Sequence, residues 1–253
     1  MTVRVEVDGT VATLVVDNPP LNVITDTVRA GLLAGLAECE ARRVRAVVLT
    51  GAGERAFSAG ADLREEETLT RETVRPFLEA DEAVLSRIER YPGAVIAAVR
   101  GYAYGGGFEL ALACDIRVAG ESARFAGVGV KVGLIASTAR LTRLAGETVA
   151  RDLLLTGRTV PADEALELGL VSRVVPDVDL LAESAAVARV VAERAPLAVR
   201  ANKAAMLEAA GPEPLAGALA RERARFAALQ ATRDHREALA AFFEKRPARF
   251  TGE

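Results

Sequence analysis

The chain has 253 residues, of which 51% are hydrophobic and 26% charged, with a formal net charge of −3. That length suits one globular domain, or one with an appendage, and it can bury most of its unfolded surface without staples. The charge excludes global attraction to nucleic acid or an anionic membrane, and no apolar run reaches the ~20 residues that a membrane span needs.

The N-terminus, MTVRVEVDG, alternates like a strand and lacks the apolar core of a signal peptide. Cys39 and Cys114 lie far apart and form neither a CxxC pair nor a disulfide framework. Both features lead us to expect a cytoplasmic protein.

In chain order, Val3, Val5 and Val7 alternate with polar partners, Asp8-Gly9 turns, and Val11 to Val16 continue, which predicts a β-hairpin. Asn18-Pro19-Pro20 ends it. A helix is expected from about Thr25 to Arg42, capped by Thr25 or Asp26. Val44 to Leu49 reads as a buried strand, followed by the loop GAGERAFSAGADL. A second helix spans about Arg71 to Arg90 and stops at Pro92-Gly93. Ala94 to Val99 is a buried strand, Gly101 to Gly107 is glycine-rich, Phe108 to Ala113 is a buried helix and Asp115 to Val118 is a short strand.

This alternation predicts a parallel βα-type core through about residue 176. Beyond it, Leu180–Glu193, Leu197–Ala209, Pro214–Gln230 and Asp234–Glu244 carry helical periodicity, punctuated by Pro196, Gly211-Pro212 and Asp234. The last third therefore reads as an all-helical appendage, a common place for an oligomer interface.

The single histidine, His235, sits in an Arg- and Ala-rich helical stretch and reads as a surface residue. A three-His metal site is impossible, and no HExxH, EF-hand loop or cysteine cluster occurs, so no metal is expected. Chemistry must come from carboxylates, backbone dipoles and Arg or Lys.

Two glycine-rich segments follow predicted strands, where α/β sheets form ligand crevices. They are Phe57-Ser58-Ala59-Gly60-Ala61-Asp62-Leu63 and Gly105-Gly106-Gly107-Phe108-Glu109-Leu110. Neither is a dinucleotide fingerprint or a P-loop. If a helix starts near Gly106, its first N–H groups are unsatisfied and its dipole favours an anion. Glu109 lies one turn inside, and its side chain leans back toward those N–H groups. A backbone donor for a carbonyl oxygen beside a base suits enolate chemistry. The alternative is a glutamate that stabilises the helix dipole beside a tight glycine turn.

Together these segments, about 45 residues apart, resemble the enoyl-CoA hydratase/isomerase (crotonase) superfamily. FSAGADL is similar to its first oxyanion-hole loop and GYAYGGGFELALACDIRVA to its signature segment. LLLTGRTVPADEALELGLVSRVV and AFFEKRPARF extend the resemblance over nearly the whole chain. The resemblance implies an α/β fold, a spiral of ββα units with a C-terminal helical trimerisation region. We divide it as a core over residues 1–195, with the CoA and active sites, and an oligomerisation region over 196–253.

It also implies homotrimers or hexamers, and an acyl-CoA thioester substrate with no permanently bound cofactor, coenzyme A being part of the substrate. The catalytic residues would be Glu109 and the N–H groups of Ala61 and Gly106. Ala59, Asp62, Leu63 and Leu21 would line the adenine and pantetheine path. Arg64 would meet CoA phosphates, and Phe242 and Lys245 would reach CoA, in some members from a neighbouring subunit. Without the resemblance, Arg64 and Lys245 read as solvated surface charge.

The chain departs from the family pattern in the acid/base half of the pocket. The second catalytic glutamate falls on Gly129, and the family's Pro-Gly stretch is shortened to Leu134-Ile135-Ala136-Ser137-Thr138-Ala139. Ser137 and Thr138 are expected as helix caps, with water-holding as the alternative. Glu79, Asp81 and Glu82 lie on a helix that could reach the pocket. The leading activity is enoyl-CoA hydration. The alternatives are double-bond isomerisation or malonyl-type decarboxylation over the same oxyanion hole, or a CoA-thioester-binding homologue that has lost catalysis.

Overall fold

The computed structural model describes residues 2–209, 211 and 215–253. The alternating valines pair as an antiparallel hairpin, β1 (Val3–Asp8) and β2 (Val11–Val16). Next comes α1 (Asp26–Ala41), whose N-cap Thr25 accepts a hydrogen bond from the Val28 N–H. From there each turn of chain contributes one long and one short strand. β3 (Ala46–Gly51) leads to β4 (Ala56–Ser58), α2 (Leu63–Glu67) and α3 (Val74–Glu89). β5 (Ala94–Val99) leads to β6 (Tyr102–Tyr104) and α4 (Gly106–Ala113). β7 (Ile116–Gly120) leads to β8 (Arg124–Ala126), a 3-10 turn over Val128–Val132 and α5 (Thr138–Thr156), which kinks at Gly146.

The long strands form a six-stranded sheet in the order β1-β2-β3-β5-β7-β10, where β10 is Arg173–Val175. All its pairs after the first are parallel. The short strands form a second sheet, β4-β6-β8-β9, with β9 at Val160–Pro161 followed by α6 (Ala162–Glu167). This is the ββα spiral that the resemblance implies. Composition and periodicity alone pointed to one parallel sheet. They missed β4, β6, β8, β9, β10, α2, α5 and α6 and began α3 three residues early.

Both faces of the large sheet are buried, which is why its central strands read as unbroken apolar runs. Val47, Leu49, Val95, Ala97 and Val99 face the main core with α1 and α3. Ala46, Val48, Ile96 and Ala98 face α7 (Leu180–Ala192) through Val187, Ala188 and Ala192. The chain then runs through α8 (Pro196–Ala209), α9 (Leu215–Gln230) and α10 (Arg233–Glu244). Pro214, expected to begin α9, and Pro212, expected as punctuation before it, lie outside the described residues. No described helix is long and apolar enough to cross a membrane. Cys39 and Cys114 are free and buried. Burial pushes the Cys39 thiol up to about 11 and that of Cys114 up to about 12, so both pack as small apolar groups.

One buried charge pins α8 to the core. Lys203 Nζ donates to Asp115 Oδ2 (2.7 Å), Ile88 O (3.0 Å) and Gly93 O (3.2 Å). Burial pushes the Asp115 carboxyl up, an effect that the Lys203 charge opposes. Lys203→Met would strand a carboxylate whose side chain is 23% exposed, so the loss falls near the low end for a broken buried pair, about 3 kcal/mol. Urea unfolding followed by circular dichroism should show a lower midpoint with an unchanged slope.

Candidate active site

The first glycine loop leaves β4 and folds back on the segment before α1. Ala59 N donates to Leu21 O (2.9 Å), which brings these two expected wall residues together. Ile24 N donates to Gly60 O (2.8 Å), and Gly60 N donates to Ser58 Oγ (3.2 Å). Asp62 caps α2, its carboxylate accepting from Arg64 N (2.9 Å). Leu63 and Arg64 follow on that short helix, Leu63 being well exposed and Arg64 exposed.

The second loop leaves β6 and starts α4 at Gly106, as its glycines predict. Gly107 is packed against β4 so closely that a Cβ there would lie 2.1 Å from Ser58 O. Gly60 holds φ at 97°, and a Cβ on it would lie 2.6 Å from Tyr104 O and 3.0 Å from Gly106 N. A Cβ on Gly106 would lie 3.4 Å from Ala61 N. The two loops therefore touch, and the Ala61 and Gly106 nitrogens lie close together. Among the described residues neither N–H has an acceptor within the chain. A free amide at a helix start favours an anion.

Glu109 lies one turn inside α4, and its side chain is 20% exposed. Oε2 accepts from Ser137 N (3.2 Å) and Oε1 from Arg140 Nη1 (3.1 Å). Arg140 also binds Glu89 (Nε to Oε1, 2.7 Å) and Glu82 (Nη2 to both oxygens, 3.1 Å). Burial opposes the Arg140 charge, but the hydrogen bonds and charges of Glu89 and Glu82 outweigh it and raise its proton affinity above the usual arginine range. Sequence reading missed Arg140: it is 31 residues from Glu109 and sits in no motif. Glu82 is linked to the site, through Arg140. Asp81 pairs instead with Arg29 (2.6 Å) and Glu79 with Arg75 (2.8 Å).

Ser137 is the residue before α5 but is not a side-chain cap; its Oγ is buried and makes no hydrogen bond within the chain, at a backbone φ of 61°. Thr138 Oγ1 reaches Ala136 O only at 3.5 Å. Gly129 has a steric reason to be glycine. The shortened loop crosses over it, so a Cβ there would lie 3.0 Å from Leu134 O and 3.3 Å from Ala136 N. A cavity of about 490 Å³ lies beyond, between Gly129, Leu134 and Ile135 on one side and Leu154 and Leu155 on the other. Tyr104 donates to or accepts from Thr159 (3.3 Å) and stacks tilted on the half-exposed Tyr102. Phe57, Phe108 and Phe125 are core.

Phe242 and Lys245 lie at the end of α10, which packs on α9. Phe242 is 77% exposed, and no described hydrogen bond or ion pair joins either residue to the first loop of the same chain. His235 is half-buried in the first turn of α10, where its N–H meets the Thr232 cap.

The family model described as enoyl-CoA hydratase/isomerase matches residues 6–253. The chain is 38% identical over 251 residues to the short-chain-enoyl-CoA hydratase of Clostridium acetobutylicum, covering 96% of this chain and 95% of that one. It is 39% identical to the crotonyl-CoA hydratase of Syntrophomonas wolfei over 82% of this chain and 80% of that one. A crystal structure of an enoyl-CoA hydratase from Bacillus anthracis superposes with a TM-score of 0.95 at 35% identity, covering both chains fully. With this spiral and these matches, the chain belongs to the enoyl-CoA hydratase/isomerase family, and it is an enzyme of that family.

Proposed function

We propose that the chain hydrates 2-enoyl-CoA thioesters to 3-hydroxyacyl-CoA. The observation that carries this reading is the pair of neighbouring free amides, Ala61 and Gly106, with Glu109 one helical turn after Gly106. The amides receive the thioester oxygen and stabilise the enolate. Glu109 takes a proton from water as the water oxygen bonds to C3 and the C2–C3 π electrons move toward the thioester, and then returns that proton to C2. Donors preorganised at the developing oxyanion are typically the largest single contribution to such a step. Supporting relatives carry hydratase names at 38–39% identity. The test is loss of enoyl absorbance on adding crotonyl-CoA to the protein; binding without turnover would instead identify a thioester-binding homologue.

CoA would enter as part of the substrate, with no resident cofactor, along Leu21, Ala59, Asp62 and Leu63, with Arg64 on its phosphates. Phe242 and Lys245 would meet CoA across a subunit boundary. We assign catalysis to residues 1–195 and oligomer contacts to 196–253, as a homotrimer or a pair of trimers. The exposed apolar side chains of Met206, Phe226, Phe242 and Phe243 support this. The location would be cytoplasmic.

A second reading, isomerisation or malonyl-type decarboxylation, draws on Gly129, where the loop backbone fills the place of a second acid. Gly129→Glu tests that closure. Its side chain would have to displace the backbone of residues 134–136, at a cost of about 1–3 kcal/mol. A lower Tm with no gain in hydration rate is expected; a gain would mean that the loop yields to a second acid.

A further inference from the structure

Glu109 is the only titratable side chain of α4, and β4 offers none beside it. From β6 comes Tyr104, whose hydroxyl is engaged by Thr159. From α5 comes Arg140, and from α3 come Glu82 and Glu89, both on that same guanidinium. One half-buried cation thus serves three carboxylates on two helices. Only Glu109 among them shares a helical turn with a free amide, that of Gly106.

We propose that Arg140 is a positioning residue that holds the Glu109 carboxylate for proton transfer, and that Glu89, by sharing the guanidinium, anchors Arg140 in that place. This rests on Glu109 being the proton-transfer group proposed above. Both Glu109 oxygens are held, one by the guanidinium and one by the Ser137 N–H, so the rotamer is set from two sides. Two further carboxylates, Glu82 and Glu89, hold the same guanidinium, so its own place is fixed as well. Partial burial strengthens these contacts, since the Arg140 side chain is 15% exposed and that of Glu89 22%.

The test is hydration of crotonyl-CoA by the full chain carrying Glu109→Gln, Arg140→Gln, Arg140→Lys or Glu89→Gln, with kcat and KM measured per folded molecule. Arg140→Gln should lower kcat about 10²-fold through loss of alignment, with little change in KM. Glu89→Gln, which removes one anchor of the guanidinium, should lower kcat less and also leave KM unchanged. Arg140→Lys should leave kcat low, because an ammonium cannot span three partners as a planar fork does. A purely structural arginine would change the folded fraction and not kcat per folded molecule. Wild-type kcat per folded molecule in Arg140→Gln, or a loss that appears in KM instead, overturns the inference. If Arg140→Gln does not fold, kcat and KM of Glu89→Gln decide. If Glu109→Gln hydrates at the wild-type rate, the functional reading beneath fails; if it is inactive while the Arg140 and Glu89 variants keep wild-type kcat, only this inference fails.

Discussion

Glu109→Gln is expected to lower the rate of enoyl-thioester hydration by about 10²–10⁴-fold, the usual worth of a positioned acid–base group. The substitution keeps shape and the carbonyl-type oxygen that can accept from Ser137 N–H, and Arg140 retains Glu82 and Glu89. Folding should therefore survive, and the change isolates proton transfer from architecture. Because residue 129 is glycine beneath the crossing loop, no second carboxylate stands there to take over the step. The whole proton circuit then falls on one residue, which places the expected loss toward the upper part of that range. Steady-state rates of the two proteins on crotonyl-CoA settle the matter: equal rates would remove Glu109 from the mechanism.

Gly60→Ala is expected to cost about 10²–10³-fold in kcat, the effect of losing one oxyanion donor. Its methyl group would meet Tyr104 O at 2.6 Å and Gly106 N at 3.0 Å, on a backbone at φ 97° that disfavours any side chain. Both obstacles are main-chain atoms, so relief must come from separating the two glycine loops. That moves the Ala61 and Gly106 amides apart. Gly53→Ala is the control, since Gly53 also has positive φ (74°) but a Cβ there meets nothing within 4 Å. It carries the same kind of backbone strain away from the loops and should retain the wild-type rate. If Gly60→Ala is as active as Gly53→Ala, the paired amides do not stabilise the reaction.

These effects differ in how far apart in the chain their causes lie. The hairpin, the long strands and most helices could be read from residue order, because period-2 and period-3.6 patterns and their caps are local. Glu109 could be read for the same reason: it and Gly106 share one helical turn. The glycines at 60 and 105–107 marked loops that needed freedom or close approach. The short strands β4, β6 and β8 were not legible. Each has three residues, too few to show a period, and forms only because its neighbours in the second sheet supply hydrogen bonds across a turn of the spiral.

Arg140 and Ser137 escaped notice because their contacts to Glu109 close loops of 31 and 28 residues between α4 and the start of α5. Nothing in a linear motif records which guanidinium three distant carboxylates will share. Gly129 shows the division most directly. Order along the chain revealed that a glutamate was missing there, while the folded backbone revealed why one does not fit. Local geometry is written in neighbouring residues; the meeting of two loops, or of one cation with three acids, depends on how the sheets bring remote turns together.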